Sequence, residues 1–401
     1  MQPNNEVFEH PREPESSRIV TALRNETTGG MLLIITAVAA LIWANSDWSS
    51  SYQNFINFTF GPESINLNLS VAKWASDFLL AFFFFIIGIE LKHEFVHGSL
   101  SNIRQATVPM VAAVFGMVVP AGIFLAFNTG TPAQSAWAIP IATDVAFALA
   151  ILAVAGRKLP LELRSFLLTV AVVDDLIAIV VIAVFYGHGI SFSYLLASMV
   201  LIALFGLVQH KGYTNVWLAL LIAFCAWYAM LQSGIHATIA GVALGLVMNV
   251  SKGETQKISS AAKSESVLRP FSAGVCVPLF SLTTIGVAIE QTDFHSIVTS
   301  PLALGIMMGF ILGKPVGVTL GAYVTARFTK ARLNPSLSWG DVFAVGTLAS
   351  IGFTVALLIT EISFFGQEEP LNVAKFGIIV SNVLAIVVAV AVLRFRKSRL
   401  G

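Results

Sequence analysis

The sequence predicts an all-α polytopic membrane protein of twelve transmembrane helices, with inverted repeats and two interrupted helices that cross. Three observations carry the membrane class and the count of spans. Only 11% of the 401 residues are charged and 56% are hydrophobic, against roughly 25% charged in a soluble globular chain. The apolar residues come in long continuous runs, which suit membrane helices and lack the alternation of a barrel strand. Lys and Arg concentrate in every second connection, the bias that places basic loops on the cytoplasmic side. A single large soluble domain is excluded by this distribution. The net charge of +1 suggests no nucleic-acid partner, and membrane lipid is the expected surroundings.

The chain divides into a polar cytoplasmic N-terminal segment (1–29), a twelve-helix membrane domain (30–394) and a basic cytoplasmic tail (395–401). The start is polar and Pro-containing, as disordered or surface-lying segments are. It lacks the basic, apolar and small-residue succession of a signal peptide, so the first apolar run is expected to be a retained span. The spans follow at 30–45, 73–91, 106–127, 134–155, 164–186, 193–209, 215–231, 235–250, 268–289, 300–325, 342–364 and 371–393. Ser233 and Gly234 barely separate the seventh from the eighth.

With Met1 inside, the cytoplasmic connections carry Lys92 and Arg104; Arg157, Lys158 and Arg164; Lys211; Lys252, Lys257, Lys263 and Arg269; Arg327, Lys330 and Arg332; and Arg394, Arg396, Lys397 and Arg399. Glu63, Glu290, Asp293, Glu368 and Glu369 mark the opposite side, with only Lys73 and Lys375 near its span ends. A single missed span would scramble this alternation, so the pattern asks for an even number with both termini inside. Trp43, Trp48 and Trp74 fall near span ends, as interface anchors or as ordinary packing residues. Cys225 and Cys276 both lie in apolar segments and read as small packing residues. No metal-ligand spacing or disulfide framework occurs, and no cofactor is called for.

The connection at 46–72 is long, polar and on the outer side. Its segments NFINFTF and SINLNLS are rich in β-formers. A short hairpin that mediates self-association is the expectation, with a disordered loop as the alternative.

Function is written in the ionisable residues inside the spans, which are costly there unless they face a cavity, a partner or an ion. Asp144 lies in IPIATDVAFALAIL and the adjacent Asp174 and Asp175 in LTVAVVDDLIAIV. Lys314 lies mid-span in FILGKPVGV and must pair or lose its proton. Its natural partner is one of Asp174 and Asp175, as a functional pair or as a purely structural salt bridge. Neighbouring helix positions point about 100° apart, so the two aspartates cannot serve one site equally.

Pro140 removes an amide donor, and Thr143 adds a hydroxyl just before Asp144. VGTLASIGFTVALLIT, with Gly346, Gly352 and Thr354, is a possible counterpart in the eleventh span. Helices broken at mid-membrane expose backbone ends that bind or balance ions. The fourth and eleventh spans run in opposite directions, so spans three to five and ten to twelve would form an inverted repeat.

A further group lies towards the cytoplasmic side. Glu90 and Glu94 are four apart on one helical face, and Glu265 precedes Arg269. They read as a cation-gathering, proton-responsive funnel or as nothing more than charged span ends. His236, in SGIHATIAG, is a proton sensor or a capping and packing residue. Asp77 lines an outward-facing funnel or caps a helix.

Carboxylates can take a proton or offer hard oxygen ligands to a small cation. A site that cannot hold both couples opposite flows when it faces either side in turn. Asp175 would bind sodium, assisted by Asp144 or Thr143, and Asp174 would exchange a proton or an ion pair with Lys314.

In this order along the chain, IGIELKHE, WAIPIATDVAFALAIL, LTVAVVDDLIAI, SGIHATIAGV, ILGKPVGV and SIGFTVAL resemble the NhaA family of bacterial sodium/proton antiporters, from about Arg24 to Arg396. The resemblance implies a twelve-span inner-membrane protein with two interrupted, crossing helices. It implies electrogenic exchange of cytoplasmic sodium or lithium for two external protons, activated at alkaline pH, with a role in pH and sodium homeostasis. Asp144, Asp174 and Asp175 match the transport carboxylates, with Asp175 the principal sodium ligand and Asp174 linked to Lys314. Glu90, Glu94, His236 and Glu265 match the pH-response positions. The family forms homodimers through an outer hairpin, which gives the 46–72 connection a role. One departure stands out: Ser266 and Arg269 occupy positions where the best-known member carries histidines, which predicts a different activation range or weaker regulation.

Two other functions fit the composition. One is a sodium-coupled transporter of an organic anion on a similar fold, which the absence of further basic residues in mid-span disfavours. The other is a cation channel, which would pass ions without obligatory proton counterflow.

Overall fold

A computed structural model of the chain describes residues 26–156, 159–187, 189–211, 215–251, 259–287 and 299–400. Most of the N-terminal segment, the basic pair Arg157 and Lys158, and the charged connections holding Lys252, Lys257, Glu290 and Asp293 lie outside the described residues. The described chain is almost wholly helical: α1 (Glu26–Ala44), α2 (Ser49–Asn57), α3 (Val71–Val96), α4 (Ile103–Asn128), α5 (Val145–Ala155), α6 (Leu161–Phe185), α7 (Phe192–His210), α8 (Val216–Gln232), α9 (Thr238–Leu246), α10 (Ser260–Thr284), α11 (Pro301–Phe328), α12 (Trp339–Ala349), α13 (Thr354–Ser363) and α14 (Glu368–Leu400).

Among the described residues seven helices are long and apolar enough to cross a membrane, or up to ten if each of three bent pairs is one span. Each of the twelve expected stretches contains helix. The eighth differs most from expectation: α9 has nine residues, about 14 Å of helix against a hydrocarbon core of about 30 Å. Gly234, at φ +82°, turns the chain just before it, and a left-handed residue cannot continue a helix.

Three spans carry wide π turns, at Trp74–Leu79, Ser272–Cys276 and Gly309–Gly313. The second follows Pro270 and the third precedes Pro315. Pro315 has no N–H for the regular ladder and its ring crowds the turn before it, so the third of these turns is free to widen.

The chain forms two compact units. The first comprises Met1–Ala40, Ser50–Gly98 and Ile182–Thr283. Its core gathers Ile89, Ile202, Phe205, Trp227, Met230 and Leu244. Here α3 and α9 meet backbone to backbone. A Cβ on Gly245 would collide with the Phe85 carbonyl and Gly88, and one on Gly88 with the Val242 carbonyl. Small residues permit such approach between membrane helices.

This unit also carries the expected hairpin, in a shorter form. Thr59 pairs with Ser70 and Phe60 with Leu69, while Asn54–Asn57 of the β-rich NFINFTF segment complete α2. That helix is anchored by fully buried Tyr52, whose hydroxyl donates to the Leu282 carbonyl at 3.0 Å. Tyr228 and Gln232 of α8 donate to the Ile65 carbonyl and tie down the hairpin tip.

The second unit comprises Leu41–Ser49, Ser99–Val181 and Thr284–Gly401. Its core is built by Leu163, Leu167, Val170, Val318, Val345 and Leu348. Two of the bent pairs lie here: Pro132–Ile141 with α5, bent by 44°, and α12 with α13, bent by 49°.

Candidate functional site

The site of the second unit begins where its two bent helices break. Pro140 lies in a short turn, Ala142 after it is extended, and Asp144 starts α5 as its N-cap, its side chain accepting from the Phe147 amide. A residue in extended conformation with an acceptor side chain is what a helix start requires. The other break runs from Ser350 to Phe353.

Each break supplies what the other lacks. The Asp144 amide donates to the Ile351 carbonyl at 2.6 Å, and the Thr143 hydroxyl reaches the Ala349 carbonyl at 3.0 Å. Gly352 lies so close that a Cβ would meet the Ala142 carbonyl. Buried backbone groups left unpaired by a break must find partners, and these breaks satisfy one another.

The carboxylates are arranged on this frame. Asp144 Oδ2 accepts from the Thr354 hydroxyl at 3.1 Å. Thr354 opens α13 and Asp144 opens α5, so the carboxylate is held at the starts of two helices, where partial positive charge favours an anion. Lys314 Nζ, with no exposed surface, lies 2.7 Å from both Asp174 Oδ2 and Thr143 Oγ1. Thr143 Oγ1 is in turn 2.7 Å from Asp174 Oδ2. These three side chains close a triangle.

A hydroxyl has one proton to give. With Lys314 donating to Thr143, that proton goes either to Asp174 or to the Ala349 carbonyl. Asp174 Oδ1 is buried without a hydrogen-bond partner among the described residues. An anionic oxygen so placed has unmet capacity to accept a proton or a cation. Asp175, the next residue of α6, is also buried.

Two further groups lie in the first unit. Asp77, expected to line a funnel or cap a helix, is buried beside His236, with 3.2 Å between its Oδ1 and the imidazole Nε2. The other ring nitrogen, Nδ1, is 2.8 Å from Thr238 Oγ1, and Trp227 Nε1 donates to the Asp77 carbonyl at 2.8 Å. Arg269 of α10 bridges Glu90 and Glu265, with its Nε 3.1 Å from Glu265 Oε1. Glu94 stands one turn beyond Glu90 and is half-buried.

The expected pH-response residues therefore do not form one cluster. His236 belongs with Asp77, thirteen positions before Glu90 on α3, about 20 Å along the helix. Asn382 stands outside the residues singled out from sequence, although it is an amide in the middle of the apolar run FGIIVSNVLAIVV. Its NH2 donates to the Gly352 carbonyl at 3.1 Å and to the Ile378 carbonyl at 2.8 Å. An amide at the midpoint of an expected span was the signal for it. Trp227 stands outside them as well, and nothing local marks it out from other aromatic residues.

A cavity of about 840 Å3 in the second unit borders Val118, Gly122, Leu125, Gln134, Trp137 and Ile141. No Lys or Arg lines it among the described residues.

Known proteins resemble this sequence over nearly its whole length. Residues 20–393 match the family model described as Na+/H+ antiporter 1. The chain is 46% identical over 396 residues to the Na(+)/H(+) antiporter NhaA of Mycolicibacterium smegmatis, covering 98% of this chain and 91% of that one. It is 45% identical to Na(+)/H(+) antiporter NhaA 3 of Streptomyces coelicolor, covering 96% and 82%. With the Na(+)/H(+) antiporter NhaA of Thermobifida fusca it shares 46% identity, covering 94% and 93%. The solved sodium proton antiporter MjNhaP1 of Methanocaldococcus jannaschii is 13% identical with a TM-score of 0.49, covering 95% and 96%, a likeness too distant to bear on the site.

Proposed function

The chain belongs to the Na+/H+ antiporter 1 family and is a multi-pass membrane transporter that exchanges sodium for protons, and from that premise we propose that Asp175 and Asp144, with Thr143, hold the sodium ion while Asp174 carries a proton in alternation with its Lys314 ion pair. The observation that carries this reading is the buried Lys314–Thr143–Asp174 triangle with its one unpartnered carboxylate oxygen. When Asp174 is ionised, Lys314 neutralises it. When Asp174 takes a proton, that pairing is lost and the Thr143 hydroxyl can turn to Ala349.

Charge bookkeeping then yields electrogenic exchange. With sodium bound, the ion and Lys314 balance the charges of Asp174 and Asp175. With Asp174 and Asp175 both protonated, Lys314 is left unbalanced by them, so that, with Asp144 ionised in both states, the site is one charge more positive than in the sodium-bound state. Two protons enter for each sodium or lithium expelled, and each cycle moves one charge inwards. At 100 mV that transfer contributes about 2.3 kcal/mol to sodium extrusion.

The proposal extends to topology, regulation and assembly. Twelve crossings place both termini in the cytoplasm, on the basic side of the alternating connections. The membrane is the bacterial inner membrane, and alkaline activation involves Glu90, Glu94, Glu265 and His236, its range altered by Arg269 and Ser266. Asp77 joins this set through His236. The hairpin in 46–72 pairs with its copy in a homodimer, and its deletion should leave the protein monomeric in crosslinking.

The decisive experiment is a sodium-driven pH change in proteoliposomes, read with a pH dye and a potential-sensitive dye. The intact protein should give both signals and Asp175→Asn neither. Coupled exchange persisting in the variant would overturn the assignment. Cation flux without proton counterflow would favour a channel. The cavity beside Ile141 offers an organic anion no basic side chain among its described lining residues, so small-cation exchange is the better supported use of this architecture.

A further inference from the structure

We infer that Asn382 is a positioning residue for sodium binding: its amide holds the break between α12 and α13 in the geometry that aims Thr354 and the Ile351 carbonyl at Asp144. The inference rests on the proposed role of Asp144 in the sodium site.

Asn382 sits in α14 and is buried. Its NH2 spans two helices, donating to Ile378 on its own helix and to Gly352 inside the break. Gly352 is flanked by Ile351, whose carbonyl accepts from the Asp144 amide, and lies two residues before Thr354, whose hydroxyl donates to the Asp144 carboxylate. Asn382 thus holds the centre of a short segment whose two ends both hold Asp144.

Chemical economy points the same way. The Asn382 Oδ1 atom is buried without a hydrogen-bond partner among the described residues. A buried acceptor left unmatched is destabilising, and an apolar side chain of similar volume would avoid that penalty. What only the amide supplies is its donor to Gly352. Packing alone gives no reason to place an amide there. Fixing a carbonyl that a broken helix leaves without its usual partner does.

The test is the half-saturating sodium concentration of exchange in proteoliposomes at fixed pH. Asn382→Leu keeps the volume and removes the donor. It should raise that concentration about threefold to tenfold, the worth of one hydrogen bond, while turnover at saturating sodium is retained. Unchanged half-saturation in folded Asn382→Leu overturns the inference. If Asn382→Leu does not fold, Asn382→Ser, too short to reach Gly352, takes its place under the same criterion.

A merely structural staple would lower the melting temperature without a selective effect on sodium. A combined variant with Thr354→Val separates the two. Non-additive effects on half-saturation support action through the shared break, and additive ones overturn it. Asp144→Asn is measured in parallel. No change there removes the sodium-site reading and the inference with it. A rise there with none in Asn382→Leu removes the inference alone.

Discussion

Lys314 Nζ lies 2.7 Å from Asp174 Oδ2, and neither side chain exposes any surface to solvent. A pair so buried stabilises little relative to an apolar pair of the same shape, but removing one partner leaves an uncompensated charge, at a cost of about 3–5 kcal/mol. Lys314→Ala should therefore lower the melting temperature sharply in detergent, and Lys314→Ala with Asp174→Asn should recover much of the loss. The double variant retains Asp175, which can still trade one proton for one sodium. Exchange should persist with the pH-dye signal present and the membrane-potential signal gone. A potential signal in the double variant would mean that the second proton travels elsewhere.

Thr143 is the corner at which the triangle meets the second broken helix, since its hydroxyl reaches Lys314, Asp174 and the Ala349 carbonyl. Thr143→Val keeps the shape and deletes the hydroxyl. It leaves buried polar partners short of a hydrogen bond, a loss of about 1–3 kcal/mol. Thr143→Ser should restore stability and sodium affinity together. Thermal melting and half-saturating sodium, measured on the three proteins, check this. Equal behaviour of the Val and Ser variants would show that the hydroxyl is idle.

Close backbone contact in the first unit makes a separate prediction. Gly245 leaves no room for a Cβ against Phe85 and Gly88. Gly245→Ala should force α3 and α9 apart, at about 1–3 kcal/mol. Gly30, also in a helix, has open space where its Cβ would go, so Gly30→Ala is the control and should be neutral or slightly stabilising. Melting temperatures of both variants decide the matter.

The contrast between these sites explains what the sequence made legible. Long apolar runs must be helices in lipid, so the spans could be placed without knowing a single contact. Pro140 and Gly352 announced the breaks, because proline and glycine act on the backbone locally. Asp174 and Lys314 announced a pairing, because charge in mid-span demands a partner. The identity of several partners was hidden. Asp77 finds His236 and Asn382 finds Gly352 only through helix packing, and no local periodicity encodes such pairings. The same limit applies to the hairpin. β-Forming residues at Asn54–Asn57 went into α2 once Tyr52 was anchored in the core.

Arg269 offers the test most particular to this chain. It bridges Glu90 on α3 and Glu265 four residues earlier on its own helix, so a single cation holds two carboxylates from two helices. Arg269→Ala would remove the cation that the two carboxylates share. Because Glu90 keeps about a third of its side chain exposed, water softens the penalty, and a loss on the order of 2 kcal/mol is expected. Adding Glu90→Gln and Glu265→Gln to Arg269→Ala removes the stranded charges and should recover part of the melting temperature. If the bridge also sets the pH response, the triple variant should show a flatter activity–pH profile than the intact protein, with exchange at the optimum retained. A triple variant as unstable as Arg269→Ala would mean that the guanidinium acts through its packing rather than its charge. An unaltered profile in a stable triple variant would separate this cluster from pH regulation and leave Asp77 and His236 as the groups to examine.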